Sequence, residues 1–338
     1  MGLHRFFQGV NDMKPRKGTV AFFSAAVMLI LILDGQTALG GAREGVNLCI
    51  QTVVPSLFPF FFLSGVFMDA ITGVQVSALG YLGKLFSIPK GLEGLLVCGF
   101  LGGYPVGARC IGKLHRNSQI SKAEAQRLLR YCCNAGPAFM FGMAGGMFPK
   151  KWMIWMLWLI HIASAWMVSL MESSSSVGSV RHFSSDSSLE SPMGSSVSAI
   201  LKVCGWVVLF RVLLSFLNRW LIWILPVEVQ VIVSGLLDLT NGILDLRHIG
   251  DIPLRFVLCS GMLAWGGLCV IMQTRSVLEG LSIFDYIQGK AFQTILSLLL
   301  AAGFMYRAWP IFPCLAVAII ALRCIKQKNS SFLPIADV

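Results

Sequence analysis

Apolar residues along this chain come in long blocks rather than in the short alternations of a soluble sheet. A helix that spans a bilayer needs about 20 mainly apolar residues. Residues 20–33, 152–171, 199–216, 291–306 and 309–322 approach or meet that requirement and are read as spanning helices. Shorter and more mixed pieces lie between them. Residues 42–55 are polar on one face and lead into VVPSLFPFFFLSG, where Pro55 and Pro59 are expected to interrupt the helix. Residues 76–88 are amphipathic and stop at Pro89, and 119–130 read as a surface helix opened by a Ser121-x-x-Glu124 capping box.

Two segments break the apolar pattern from within. VCGFLGGYPVGA at 97–108 is apolar enough to enter a bilayer but too rich in Gly and Pro to cross it as one helix. VSGLLDLTNGI at 233–243 is its counterpart in the second half. Irregular backbone at membrane depth leaves N–H and C=O groups without partners, so it persists only inside protein or beside a watery cavity. Broken segments at matching places in two halves are a sequence sign of a transporter site. The order of motifs recurs as well. VVPSLFPF sits beside VCGWVVLF (203–210), the Gly102–Pro105 turn beside Asp238–Asn241, and NAGPAFMFG (134–142) beside AWGGLCVIMQ (264–273).

A Ser-dominated stretch without apolar periodicity, 172–198, joins the halves as a flexible linker with a reach of about 30 Å. The expected organisation is an N-terminus and first helix at 1–41, a first repeat at 42–171, the linker, and a second repeat at 199–292. C-terminal helices and a basic tail fill 293–338.

Composition supports this class. The chain is 56% hydrophobic and only 13% charged, with mean hydropathy +0.74, far from the roughly 25% charged residues of soluble domains. The net charge of +11 invites a nucleic-acid partner, but the basic residues cluster beside apolar runs: Arg5, Lys14, Arg16 and Lys17, then Lys150 and Lys151, then Arg323, Lys326 and Lys328. That distribution places both termini in the cytoplasm, names the lipid bilayer as partner and excludes nucleic acid. Residues 1–41 have the outline of a secretory signal, but the long polar lead favours an uncleaved first helix. The ten cysteines show no CxxC spacing and read as small buried hydrophobes, and the scattered histidines, His161 among them, as packing residues.

Several constellations invite chemistry. GARCIGK at 107–113 approaches a phosphate-binding loop, but Leu114 lacks the hydroxyl that would hold magnesium. Gly102, Gly103, Tyr104 and Pro105 suit either close helix packing or a re-entrant tip, and their adjacency favours the tip. A tip would turn backbone amides toward an anionic group. Asp238, Thr240 and Asn241 form the sharpest polar cluster, and the open readings are contact with interfacial water or a cavity-facing acid. In the second reading Asp238 takes a coupling cation, Na+ or H+, or accepts hydrogen bonds from a solute. Asn134, Gly136 and Pro137, and in the second half Gly266, Gly267 and Gln273, are candidates for unwound helices facing the cavity; an ordinary helix start and helix end are the alternatives.

With PSLFPF, GGYPVGA, NAGPAF, LLDLTNG and GG-L-x-V-x-x-Q in place, the chain resembles the sporulation integral membrane protein YlbJ family. That family sits among nucleoside-recognition (Gate) domain proteins related to concentrative nucleoside transporters. The resemblance covers about 53–292 and implies two inverted repeats, each with a re-entrant hairpin and an unwound helix meeting around a solute. It also implies a role in endospore formation, with dipicolinate crossing a forespore membrane. Two departures bear on the solute and the coupling ion: the family usually carries Glu at Asp238, and Ser and His at Cys269 and Ile271.

The expectation is therefore an all-α polytopic transporter of a small polar anion, not an enzyme, without a cofactor and with its oligomeric state open. Arg109 is a further candidate for a carboxylate. A nucleoside carrier and a non-transporting gating protein are the rival readings.

Overall fold

The computed structural model describes residues 17–72, 77–172, 191–221, 224–278, 280–315 and 317–321. Residues 173–190 of the Ser-rich stretch, residues 1–16 with their basic cluster, and the basic tail 322–338 lie outside the described residues. The described residues form helices and turns, with no strand among them. The protein is an all-α polytopic membrane protein. Five helical stretches are long and apolar enough to cross a bilayer: Gly35–Ile71, Lys151–Met171, Pro192–Trp220, Ile252–Val277 and Ile283–Met305.

Lys17–Leu33 (α1) leads the described chain and buries none of its residues, leaving Phe22, Ile32 and Leu33 exposed. An apolar cylinder of that kind is stable against lipid and costly against water. Gly35–Leu48 (α2), a π-helical turn at Cys49–Val53 and Val54–Ile71 (α3) then run on as one helix. The expected interruption at Pro55 and Pro59 does not occur. A proline removes its own N–H bond and crowds the carbonyl four residues back. For Pro55 that carbonyl belongs to Gln51, inside the π turn, so the widened turn absorbs the conflict. The helix also crosses the 41/42 boundary expected between the N-terminal unit and the first repeat.

Ser77–Leu85 (α4) precedes a hairpin of two short helices, Gly94–Leu101 (α5) and Val106–Arg116 (α6). Lys122–Leu129 (α7) starts at Ser121, whose hydroxyl accepts the Glu124 amide at 3.2 Å. The Glu124 carboxylate turns to Arg127 at 2.5 Å, so the box is half made. Pro137–Gly142 (α8) and the long Lys151–Met171 (α9) complete this half.

The second half opens with Pro192–Trp220 (α10), capped by Ser191, so residues 192–198 expected in the linker are helical. A second hairpin follows, Val227–Leu237 (α11) and Leu239–Asp245 (α12). Ile252–Trp265 (α13) and Gly267–Val277 (α14) form one long apolar stretch broken at Gly266, and Ile283–Met305 (α15) closes the core. Small residues set the packing. A side chain at Gly45 of α2 would meet the Val208 backbone of α10 at 2.8 Å, and Ser260 of α13 bonds Ser297 of α15 at 2.6 Å. At one end of the bundle, Arg130 binds Glu172 at 2.8 Å and Asp285 at 2.6 Å, tying α7 to α9 and α15.

Candidate functional site

Each hairpin turn rests on a helix break of its own half. In the first, Gly103 has φ +78°, a left-handed conformation that a side chain would strain. Its backbone packs on Gly136, where a Cβ would meet Gly103 Cα at 3.0 Å. The next peptide, Tyr104–Pro105, is cis. The segment Cys133–Gly136 is unwound, and its donors find partners on the neighbouring helices α5 and α9. Asn134 N–H reaches Gly99 O at 3.2 Å, and Ala135 N–H reaches His161 Nε2 at 3.1 Å. In the second half, Gly266 and Gly267 have φ +81° and +85° and separate α13 from α14. A Cβ at Gly267 would lie 2.9 Å from Leu239 N and 3.1 Å from Asp238 Cα.

Tyr104 crosses between the halves. Its hydroxyl lies 3.3 Å from both Leu263 O and Ala264 O, the carbonyls that the break at Gly266 leaves without helical donors. The sequence names Tyr104 as a tip residue, and the structure gives it this second task.

A cavity of about 600 Å³ opens where the two turns approach each other. Gly102, Gly103, Tyr104 and Gly136 line it from the first half, and Asp238, Thr240 and Gln273 from the second. The wall is largely apolar, with Phe60 and Phe139 on it and Thr52 and Ser56 as added hydroxyls. Few polar groups in an apolar cleft of this size is the ordinary make-up of a small-molecule site.

The remaining candidates stand behind that wall. Pro105, Pro137, Asn241, Gly266 and Gly267 shape the turns and breaks without lining the cavity. Asn134, expected to face the cavity, is fully buried away from it. Its Nδ2 donates to Tyr131 O at 2.8 Å, and its Oδ1 accepts from Gln293 Nε2 at 3.0 Å and Lys290 Nζ at 3.4 Å. An unwound segment needs side chains to hold its backbone, and Asn134 serves that end. Arg109, expected as a carboxylate partner, is likewise engaged elsewhere. It donates to Phe61 O at 2.5 Å and to the Ser195 and Ser196 hydroxyls, with its guanidinium 5.3 Å from the Phe61 ring.

Asp238 is 9% exposed and sits on the cavity wall, yet its oxygens are occupied. They accept from Thr240 N at 3.4 Å, Asn241 N at 3.3 Å and Asn241 Nδ2 at 2.7 Å. The acid therefore caps α12 and neutralises the amides that an anionic solute would otherwise meet there. Arg211 of α10 lies within electrostatic range of the same carboxylate. Gln273 donates to Cys269 Sγ at 3.1 Å, so Cys269 holds the amide that lines the cavity.

Sequence reasoning missed Thr52, Ser56 and Phe60 of the wall, and Lys290 and Gln293 behind it. For Lys290 a signal existed: a lysine inside an apolar run is a functional candidate by default. Starting the span at residue 291 placed it at a helix end, whereas α15 begins at Ile283.

No family profile matches the chain, and no solved structure matches it. It is 24% identical over 318 residues, covering 80% of this chain and 78% of the relative, to "Sporulation integral membrane protein YlbJ" of Bacillus subtilis (strain 168). With the multi-pass architecture and the two broken hairpins already described, the chain is thus similar along most of its length to a sporulation integral membrane protein.

Proposed function

We propose that this protein is a transporter, rather than an enzyme, of a small planar anion of the dipicolinate class across a membrane of the forming spore. The observation that carries the reading is the cavity of about 600 Å³ at which the hairpin turns of both halves converge. A site held between two halves can open to either side as one half moves against the other, the arrangement alternating access requires. The aromatic wall of Tyr104, Phe60 and Phe139 suits a flat ring, and the hydroxyls and amide of Thr52, Thr240 and Gln273 suit its polar rim. The similarity to a sporulation protein supplies the physiological setting. In this reading the two halves are inverted repeats of the Gate type, the glycines at the breaks are hinges, and Asp238 is the group that couples transport to Na+ or H+.

Uptake by purified protein in sealed liposomes tests the proposal, with radiolabelled dipicolinate and uridine offered separately. Saturable dipicolinate uptake that Asp238→Asn abolishes is the expected result. Uptake of uridine alone would select a nucleoside carrier. Uptake of neither by well-folded protein would favour a non-transporting role.

A further inference from the structure

Lys290 lies within α15 with its side chain fully buried, at 0% exposure. Its ammonium donates to Cys133 O, to Asn134 Oδ1 at 3.4 Å and to Gln293 Oε1 at 2.5 Å. An ammonium has three N–H donors and no acceptor, and all three partners are oxygens that accept. The rings of Tyr104 and Tyr286 lie 5.2 Å and 5.8 Å from Nζ, a further setting for a cation. These neighbours favour the charged form, which full burial in an apolar interior penalises.

Among the described residues no carboxylate ion-pairs with Lys290. Asp285, on the same helix, is held by Arg130. Asp238, the acid of the cavity wall, is engaged by the α12 amides and lies in range of Arg211. A buried cation without a counter-ion is costly in an apolar interior unless a mobile anion supplies the missing charge. Lys290 is one residue layer from the place where such an anion would sit. It touches Cys133, Asn134 and the Tyr104 ring, while Tyr104, Ala135 and Gly136 line the cavity.

We propose that Lys290 is the buried cation that makes the cavity select an anionic solute, acting through Tyr104 and the Cys133–Gly136 segment that form its wall. It is a positioning and charge-selecting residue, since it does not itself line the cavity. The assignment rests on the transport reading and sharpens it. At short range in a medium poorer in water than bulk, one unit charge is enough to separate a dianion from its neutral isostere.

The alternative is that Lys290 only staples α15 to the unwound segment, and the test separates charge from staple. Equilibrium binding is measured on the purified full chain with two probes, dipicolinate and the uncharged pyridine-2,6-dicarboxamide. The wild type is expected to prefer the dianion by about tenfold or more. Lys290→Met should remove about that factor for dipicolinate and leave the diamide within about twofold. Asn134→Asp keeps the lysine but places a carboxylate against it, so it should show the same selective loss and decides the matter if Lys290→Met fails to fold. Equal affinities for both probes in wild type and variants would overturn the assignment, as would an equal loss of both. A wild type that binds neither probe would overturn the transport reading and this assignment with it.

Discussion

Tyr104 joins the two halves with a single hydroxyl. Leu263 O and Ala264 O end a helix in the apolar interior, and removing their donor leaves two carbonyls unsatisfied. Tyr104→Phe is therefore expected to cost about 1–3 kcal/mol, read as a lower melting temperature in detergent. Unchanged melting would show that the hydroxyl is not what holds the break. Asp238 allows a cleaner separation of roles, since Asn also caps helices well while Ala does not. Asp238→Ala should lose about 0.5–2 kcal/mol, and Asp238→Asn only a fraction of that, on the same thermal melt. In liposome uptake both should be inactive, because the charge is gone in each. Activity retained in Asp238→Asn would make the residue a cap and nothing more. At this scale the sequence showed the special backbone positions, because only Gly accepts φ values such as +78° at Gly103. It did not show where polar side chains point. Asn134 and Arg109 were legible as polar groups near a break, but which carbonyl or hydroxyl they reach depends on α15 and α10, distant in the chain.

Helix breaks behave differently according to what surrounds them. Gly266–Gly267 ends one helix and starts another because the chain turns left-handed there, and the Gly-Gly pair announces it. Pro55 and Pro59 announce a break that does not happen: the π turn at Cys49–Val53 accommodates Pro55, and the helix runs on through Pro59. A one-residue widening of this kind has no sequence period of its own. Thr52, within the π turn, and Ser56, just after it, lie on the cavity wall. Pro55→Ala, which lets the helix relax to regular winding, should rotate those hydroxyls off the wall and weaken uptake while leaving stability equal or higher. Uptake at the wild-type level in this variant would detach the π turn from function. The contact of α2 with α10 depends on Gly45, where a side chain has backbone in its way. Gly45→Val should destabilise by about 1–3 kcal/mol, seen as loss of a monodisperse peak and a lower melting temperature.

For the molecule as a whole, the pattern of apolar blocks was sufficient for the class, since a bilayer imposes length and composition on every span. The recurrence of a broken hairpin followed by a broken helix was legible in the order of Gly, Pro and Asp motifs. The structure places the two hairpin turns against one cavity, which no linear pattern could specify. The lysine behind that cavity escaped notice because a span edge drawn at 291 left it outside the helix that buries it. The central claim is that solute sits between the turns, and its most direct test is protection of a cysteine placed there. In a background freed of native cysteines, Thr240→Cys lies on the cavity wall, while Tyr81→Cys stands at a position 80% exposed on the outer surface. Saturating dipicolinate is expected to slow maleimide labelling at position 240 by about tenfold and to leave position 81 unaffected. Equal labelling rates at 240 with and without the solute would contradict the account.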